Sequence, residues 1–260
     1  MIKSVLYKDL VSISLDVTGL CQLNCPYCFQ KQLPKTFLSK EKLNTFLKQI
    51  TLIKQKMQIV IMGGEPTLYP FLNYMIDFLY KINNVQEILL FTNGIKKLDF
   101  IHFNDKLVIS FSYHPTENNK QNIIDNINII KCKYYISAMM IGKIDIKDFD
   151  GFVYPLYIEN KDKVHYHNAN DELFNRKVIQ IDDKLLTITE FSKVDKNFKN
   201  KICHHLEYTV DMNLNCQHQC FNEVINIRKF SDYVNDISFI KCPFDKCKKA
   251  DKACLNLFIE

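Results

Sequence analysis

The chain has 260 residues, 47% of them hydrophobic, with little glycine and no low-complexity tract, which excludes global disorder and allows one substantial core plus a small appendage. Its net charge of +5 comes from 34 basic and 29 acidic residues, but only Arg176 and Arg228 are arginines and the lysines form no stripe, which weighs against nucleic acid as a partner. Met1 to Asp16 lacks an apolar signal core, and no window approaches the roughly 20 apolar residues that span a bilayer, so no membrane partner and a cytoplasmic location are expected.

In chain order, Val11 to Asp16 alternates apolar residues as a strand does, and Cys21-Gln-Leu-Asn-Cys25-Pro-Tyr-Cys28 follows at once. Ser39 caps a predicted helix with Leu43, Phe46, Leu47 and Ile50 on one face. Gln58 to Met62 reads as a buried strand ending in Gly63-Gly64-Glu65-Pro66. Pro70 suits the first turn of a helix lined by Leu72, Met75, Ile76 and Leu79. Strands follow at Glu87 to Thr92 and Leu107 to Ser112, the first closing on Thr92-Asn93-Gly94. Thr116 is placed to cap a helix with Ile123, Ile127 and Ile130 inward, and Cys132 reads as a small core residue on its last turn. Tyr134 to Ile141 and Phe152 to Ile158 complete about six βα units. That rhythm predicts an α/β fold with a parallel sheet or an incomplete barrel.

After Glu159 the rhythm changes, which places a domain boundary near Asn160 and leaves 161–260 as a C-terminal extension. Lys177 to Glu190 reads as a hairpin turning at Asp182-Asp183. Cys203 and Cys220 flank a second hairpin with Asp211 to Asn215 at its turn, within a cysteine-rich region from 203 to 254.

Ten cysteines in a chain with no export signal point to metal rather than to a disulfide framework. Three thiolates within eight residues can wrap one corner of an iron–sulfur cube and leave one iron free for a ligand, whereas zinc would seek a fourth protein donor. The two glycines of Gly63-Gly64-Glu65-Pro66 would let backbone approach a ligand, and Glu65 would offer a carboxylate to an ammonium group. The plain rival is an ordinary strand-to-helix turn. Thr92, Asn93, Ser110 and Ser112 are small polar groups at the carboxyl edge of a parallel sheet, where ligands bind. His114 also points to that edge and is the best histidine candidate for a substrate contact. His165, His167, His204, His205 and His218 read as solvent-exposed.

Together the cysteine triad and the glycine–glutamate turn resemble the radical S-adenosylmethionine (SAM) superfamily over roughly residues 10 to 160. The resemblance implies a partial (β/α)6 TIM-type barrel. It makes Cys21, Cys25 and Cys28 the ligands of a [4Fe-4S] cluster whose fourth iron is chelated by SAM. Gly63, Gly64 and Glu65 then match the contacts to the SAM amino group, and Tyr27 the aromatic position near adenine. Thr92, Asn93, Ser110 and Ser112 match positions near the ribose or the methionine carboxylate. Ser137 to Gly142 fits the family's fifth-strand adenine motif only loosely, and the extra cysteines that mark glycyl-radical activating enzymes are missing between Cys28 and Gly63.

The tail resembles the twitch or SPASM-like extensions that hold an auxiliary cluster. Asn215 would stand where those have glycine, since asparagine tolerates left-handed backbone. Cys203, Cys220, Cys242 and Cys247 are then the ligands of a second [4Fe-4S] cluster, with Cys216 and Cys254 as alternates and a zinc knuckle as the rival. The implied activity is reductive cleavage of SAM to a 5′-deoxyadenosyl radical that takes hydrogen from a peptide or small-molecule substrate. The electron would come from a donor such as flavodoxin or ferredoxin. The lack of a recognition domain before residue 10 favours a small substrate or a separate recognition protein. The alternative is a non-catalytic electron carrier or zinc-binding interaction module, which would have no use for the turn at Glu65.

Overall fold

The computed structural model describes residues 2–4, 10–28, 30–140, 153–160, 163–165, 177–181, 184–187, 199–200, 202–203, 206–218, 224–236 and 240–241. A short strand β1 (Ile2–Ser4) precedes the first long one, β2 (Leu10–Asp16). Helix α1 (Lys40–Leu52), strand β3 (Lys56–Met62), helix α2 (Leu72–Tyr80), strand β4 (Val85–Thr92) and strand β5 (Leu107–Tyr113) follow. Then come helix α3 (Lys120–Ile127), strand β6 (Lys133–Met140) and strand β7 (Val153–Asn160).

The predicted α/β class and the open partial barrel are present. Strands β2 to β7 pair in chain order, all parallel. Strand β8 (Lys163–His165) turns back on β7 and makes one edge of the sheet. At the other end, strand β12 (Leu206–Val210) pairs in parallel with β2, Tyr208 opposite Ile13. Strands β13 (Asn215–His218) and β14 (Val224–Asn226) extend it antiparallel. A ten-stranded sheet results among the described residues, drawing strands from both sides of residue 160. A second, smaller sheet joins β1 to the hairpin β9 (Lys177–Ile181) and β10 (Lys184–Thr187), and to β11 (Ile202–Cys203) and β15 (Ile240–Lys241).

Alternation along each strand divides the large sheet into two unlike faces. Val11, Ile13 and Leu15, Ile59 and Ile61, Ile88 and Leu90, and Ile109 and Phe111 enter one core with the buried faces of α1 and α2. Fully burying each such side chain contributes about 1.5–3 kcal/mol. The opposite face is mixed. There Ser12 donates to Gln58 Oε1 (2.9 Å), and Gln58 donates to Glu87 Oε1 (2.7 Å), above a small cluster of Val60, Leu89, Val108 and Tyr135.

Helix α1 forms as read: the Ser39 hydroxyl accepts the Lys42 N–H, and Leu43, Phe46, Leu47 and Ile50 are buried. It also meets helix α4 (Phe230–Asp236), where Ser231 donates to Gln49 (2.8 Å) and Gln55 to the Val234 carbonyl (2.6 Å). Two helix starts differ from expectation. A 3-10 turn over Pro66–Leu68 precedes α2, which starts at Leu72 behind an N-cap at Phe71, so Pro70 lies before the helix rather than in its first turn. Thr116 falls in another 3-10 turn, Pro115–Glu117; Asn118 then takes a left-handed φ of 52° and Asn119 holds the N-cap of α3. Cys132 consequently lies beyond α3, half-buried against the core rather than on the helix.

The hairpin between β12 and β13 also departs in detail. The left-handed residue is Leu214 (φ 64°), not Asn215. Asp211 organises the turn, accepting the N–H groups of Asn213 (2.8 Å) and Asn215 (2.9 Å) and the Asn215 amide (2.9 Å). Leu214, 6% exposed, is held in that unfavourable region by its burial in the core.

Candidate active site

The cysteine loop leaves β2 at the carboxyl edge and is pinned before its first thiol. Thr18 donates its hydroxyl to the Thr36 carbonyl (2.8 Å) and accepts the Leu20 N–H (3.0 Å), while Lys35 donates to the Gly19 carbonyl (2.8 Å). A turn closes from the Cys28 N–H to the Cys25 carbonyl (3.2 Å). Cys21 is exposed, Cys28 half-buried and Cys25 buried. Burial raises the Cys21 thiol, and burial with the nearby Glu117 charge pushes Cys25 up to about 11. Metal binding at these sulfurs would therefore displace protons. Among the described residues no three His, Cys, Asp or Glu groups converge on one ion-sized point. A cubane asks for something else, because each of its cysteines binds a separate iron. Three thiols on one short loop fit that donor set.

The glycines lie against the cysteine loop. Gly64 donates its N–H to the Thr18 carbonyl (2.6 Å) and Glu65 donates to the Leu20 carbonyl (2.7 Å). A Cβ at Gly63, whose φ is 136°, would lie 2.3 Å from the Thr18 oxygen, and one at Gly64 would lie 2.3 Å from the Leu20 oxygen. The backbone that approaches so closely is the chain's own cysteine loop. No ligand is needed to explain either glycine.

Glu65 likewise faces inward. At 1% exposure, its Oε1 accepts the Thr67 N–H (3.1 Å), the Thr67 hydroxyl (2.6 Å) and the Thr92 hydroxyl (2.7 Å), and its Oε2 accepts the Asn93 N–H (2.7 Å). Burial raises its pKa against the pull of these donors. The carboxylate expected to meet an ammonium group is thus engaged in joining the ends of β3 and β4.

The remaining candidates sit around this brace. The Asn93 amide reaches Cys21 Sγ at 3.6 Å and Gln22 Oε1 at 3.4 Å. Tyr27, buried, hydrogen-bonds His114 Nδ1 through its hydroxyl (2.9 Å), with the two rings stacked 5.9 Å apart. Burial raises the phenol and pushes the imidazole down to about 4, so both groups are neutral at physiological pH. Ser110 is fully buried and its hydroxyl has no partner among the described residues, which suits a site for a polar ligand. Ser112 offers its carbonyl to Asn119 (2.9 Å) and lies opposite Ser137 on β6. Residues 141 and 142 of the loose adenine motif lie outside the described residues.

Residues 15–130 match the sequence profile of the Radical SAM superfamily. The chain carries a radical SAM domain. GTP 3′,8-cyclase of Staphylococcus epidermidis is 33% identical over 103 residues, which cover 36% of this chain and 30% of that protein. The enzyme of the same name from Staphylococcus haemolyticus is 31% identical over 104 residues, with the same coverage. The chain thus spans about 30% of the length of these curated relatives. Among solved structures, native anSMEcpe with bound AdoMet superposes with a TM-score of 0.54 at 14% identity, covering 93% of this chain and 87% of that one. Streptococcus suis SuiB bound to S-adenosylmethionine gives 0.50 at 12% identity, covering 85% and 65%. At such identity these two show a shared fold.

Sequence reasoning about the radical SAM domain did not single out Asn119, Thr67, or Gln30, which donates to Asp16 (3.3 Å). Asp16 was read only as a strand residue. It is 6% exposed, and burial pushes its carboxyl up to about 6. Outside the radical SAM domain, Cys216 is fully buried in the main core, its thiol pushed up to about 12. It packs among the apolar side chains of that core. His218, expected at the surface, is 2% exposed and meets the Tyr208 ring edge-on at 5.1 Å. Cys203 lies on β11, His165 on β8. Cys220, Cys242, Cys247, Cys254, His167, His204 and His205 lie outside the described residues.

No helix among the described residues is long and apolar enough to cross a membrane.

Proposed function

We propose that this chain is a radical SAM enzyme that cleaves SAM reductively and takes hydrogen from a peptide or small-molecule substrate. The observation that carries the reading is the docking of the three-cysteine loop onto Gly63, Gly64 and Glu65 at the carboxyl edge of a parallel sheet. When bound by Cys21, Cys25 and Cys28, a [4Fe-4S] cluster with SAM would supply the electron and the 5′-deoxyadenosyl radical. The chain's own part is to present these thiols together, to hold Cys21 through Asn93, and to exclude water around Cys25. Tyr27, Thr92, Asn93, Ser110 and Ser112 would frame the SAM pocket, where the Ser110 hydroxyl, unpartnered among the described residues, is available to a polar ligand. Flavodoxin or ferredoxin would be the electron donor, in the cytoplasm.

Two substrate classes have support. The curated relatives are named for a nucleotide, GTP, whereas anSMEcpe was solved with a bound peptide as well as AdoMet. Residues 161–260 are read as an extension whose Cys203, Cys220, Cys242 and Cys247, with Cys254 in reserve, hold a second cluster. Supporting this, Cys203 on β11 stands opposite Ile240, and β15 ends at Lys241, next in sequence to Cys242.

The test is anaerobic reconstitution with iron and sulfide, followed by reduction with SAM. The protein should form 5′-deoxyadenosine and methionine, and Cys25→Ala should not. Undiminished 5′-deoxyadenosine from Cys25→Ala protein would falsify the assignment. A variant with Cys21, Cys25 and Cys28 all replaced by Ala should keep iron in the extension. Stoichiometric zinc there instead would make the extension a structural clip.

A further inference from the structure

Asn119 is fully buried at the start of α3, and all three of its side-chain bonds go to the carboxyl edge of the sheet. Its Oδ1 accepts the His114 N–H (2.8 Å). Its Nδ2 donates to the Asn93 carbonyl (2.6 Å) and to the Ser112 carbonyl (2.9 Å). One amide thereby fixes the end of β4, the end of β5 and the turn that follows.

Both of its outer partners continue to the cysteine loop. Asn93 reaches Cys21 Sγ, and its N–H is held by Glu65, which itself anchors Leu20. His114 holds the Tyr27 hydroxyl, and that hydroxyl also bears on Cys25 and Thr116. The loop is gripped at two points on either side of Cys25, at Cys21 by Asn93 and at Tyr27 by His114. The distance between those grips is set by Asn119, which binds the backbone of both.

We infer that Asn119 is a positioning residue for the SAM-binding cluster, acting by registering Asn93 and His114 so that they hold Cys21 and Tyr27 at a fixed span. His114 belongs to this frame, which is a different task from contacting substrate. The inference rests on the reading that Cys21, Cys25 and Cys28 carry a cluster, but the frame is built from the chain's own hydrogen bonds and can be tested in metal-free protein.

Asn119→Ala removes all three bonds, and His114→Phe keeps a ring against Tyr27 while removing the nitrogen that hydrogen-bonds its hydroxyl. Leu79→Ala, in the core face of α2, serves as a control for plain loss of stability. In metal-free protein, alkylation of buried Cys25 by iodoacetamide, read by peptide mass spectrometry, should speed up about tenfold in Asn119→Ala and His114→Phe, the scale of one lost hydrogen bond. It should stay near the unmodified rate in Leu79→Ala, even where that variant melts lower. In reconstituted protein, the first two should weaken SAM binding several-fold, as seen by titrating the cluster's electron paramagnetic resonance. If Cys25 labelling merely follows melting temperature across the three variants, Asn119 is an ordinary core residue and the inference fails. His114→Phe decides the matter alone should Asn119→Ala not fold. Iron analysis separates the two ideas: an unmodified chain that retains no iron sinks the cluster reading, while Cys25 protection still judges the frame.

Discussion

Cys21 and Cys25 share their spacing with Cys216 and Cys220, three residues lying between the members of each pair. The first pair belongs to a loop braced by backbone and side-chain hydrogen bonds at the sheet edge. Cys216 instead sits on β13, opposite Val210 and Ile225, and points into the apolar core. A strand alternates its faces, so one member of a spaced pair can be lost to packing; a loop imposes no such alternation. Spacing alone does not make a ligand. The surroundings decide.

The contrast is broken most severely by filling the space on which the loop rests. Gly64→Ala puts a methyl group against the Leu20 carbonyl, and such overpacking costs about 1–3 kcal/mol. The loop should lift from β3, with loss of iron loading and of 5′-deoxyadenosine formation in the same anaerobic assay. A Gly64→Ala protein that loads iron normally would show that the loop docks by other means.

The braced edge should also show opposing pH responses, which affect stability without removing the cluster site. Folded Asp16 titrates near 6 against 3.8 in an ordinary carboxyl, so its proton is held more tightly in the native state. Its contribution is greatest below pH 3.8 and is lost as pH rises through about 6. Folded His114 titrates near 4 against 6.5, so its contribution is present above pH 6.5 and is lost as pH falls through about 4. Each shift amounts to about 3 kcal/mol at full extent, and between pH 4 and 6 the two largely offset. Asp16→Asn should therefore leave a chain whose urea midpoint climbs from pH 4 to 6.5, and His114→Phe one whose midpoint falls over that range. Parallel curves in both variants would show that neither group is buried as described.

The smallest effect sharpens the comparison from the other side. Cys216→Ala should cost about 1 kcal/mol of stability from lost apolar contact. It should leave iron content and SAM cleavage unchanged. A fall in iron would return Cys216 to the ligands.

Much of this was legible because the signals were local. The cysteine triad, the Gly63-Gly64-Glu65-Pro66 turn and the Ser39 cap each lie within one short window, and the strands from Val11 to Ser112 carry their own alternation. What escaped the sequence was what the sheet assembles. Asn119 meets residues 93, 112 and 114 only because β4 and β5 are neighbours. Glu65 looks available in sequence, and only the folded chain reveals that Thr67, Thr92 and Asn93 take up its oxygens. Leu214 adopts the left-handed turn position expected of Asn215, since core burial of the leucine and the Asp211 bonds together outweigh local preference.

The parallel pairing of β12 with β2 has a consequence for how the chain is made. The strand that launches the cysteine loop leaves the ribosome well before its outer partner, which comes from residues 206–210. Until then Leu10–Asp16 presents a long, apolar, unpaired edge, the kind of surface on which nascent chains aggregate. Contacts so distant in sequence close slowly. Synthesis must therefore pass residue 210 before the scaffold beneath Cys21 is finished, and a chain truncated before Leu206 would keep its motifs but leave that edge open.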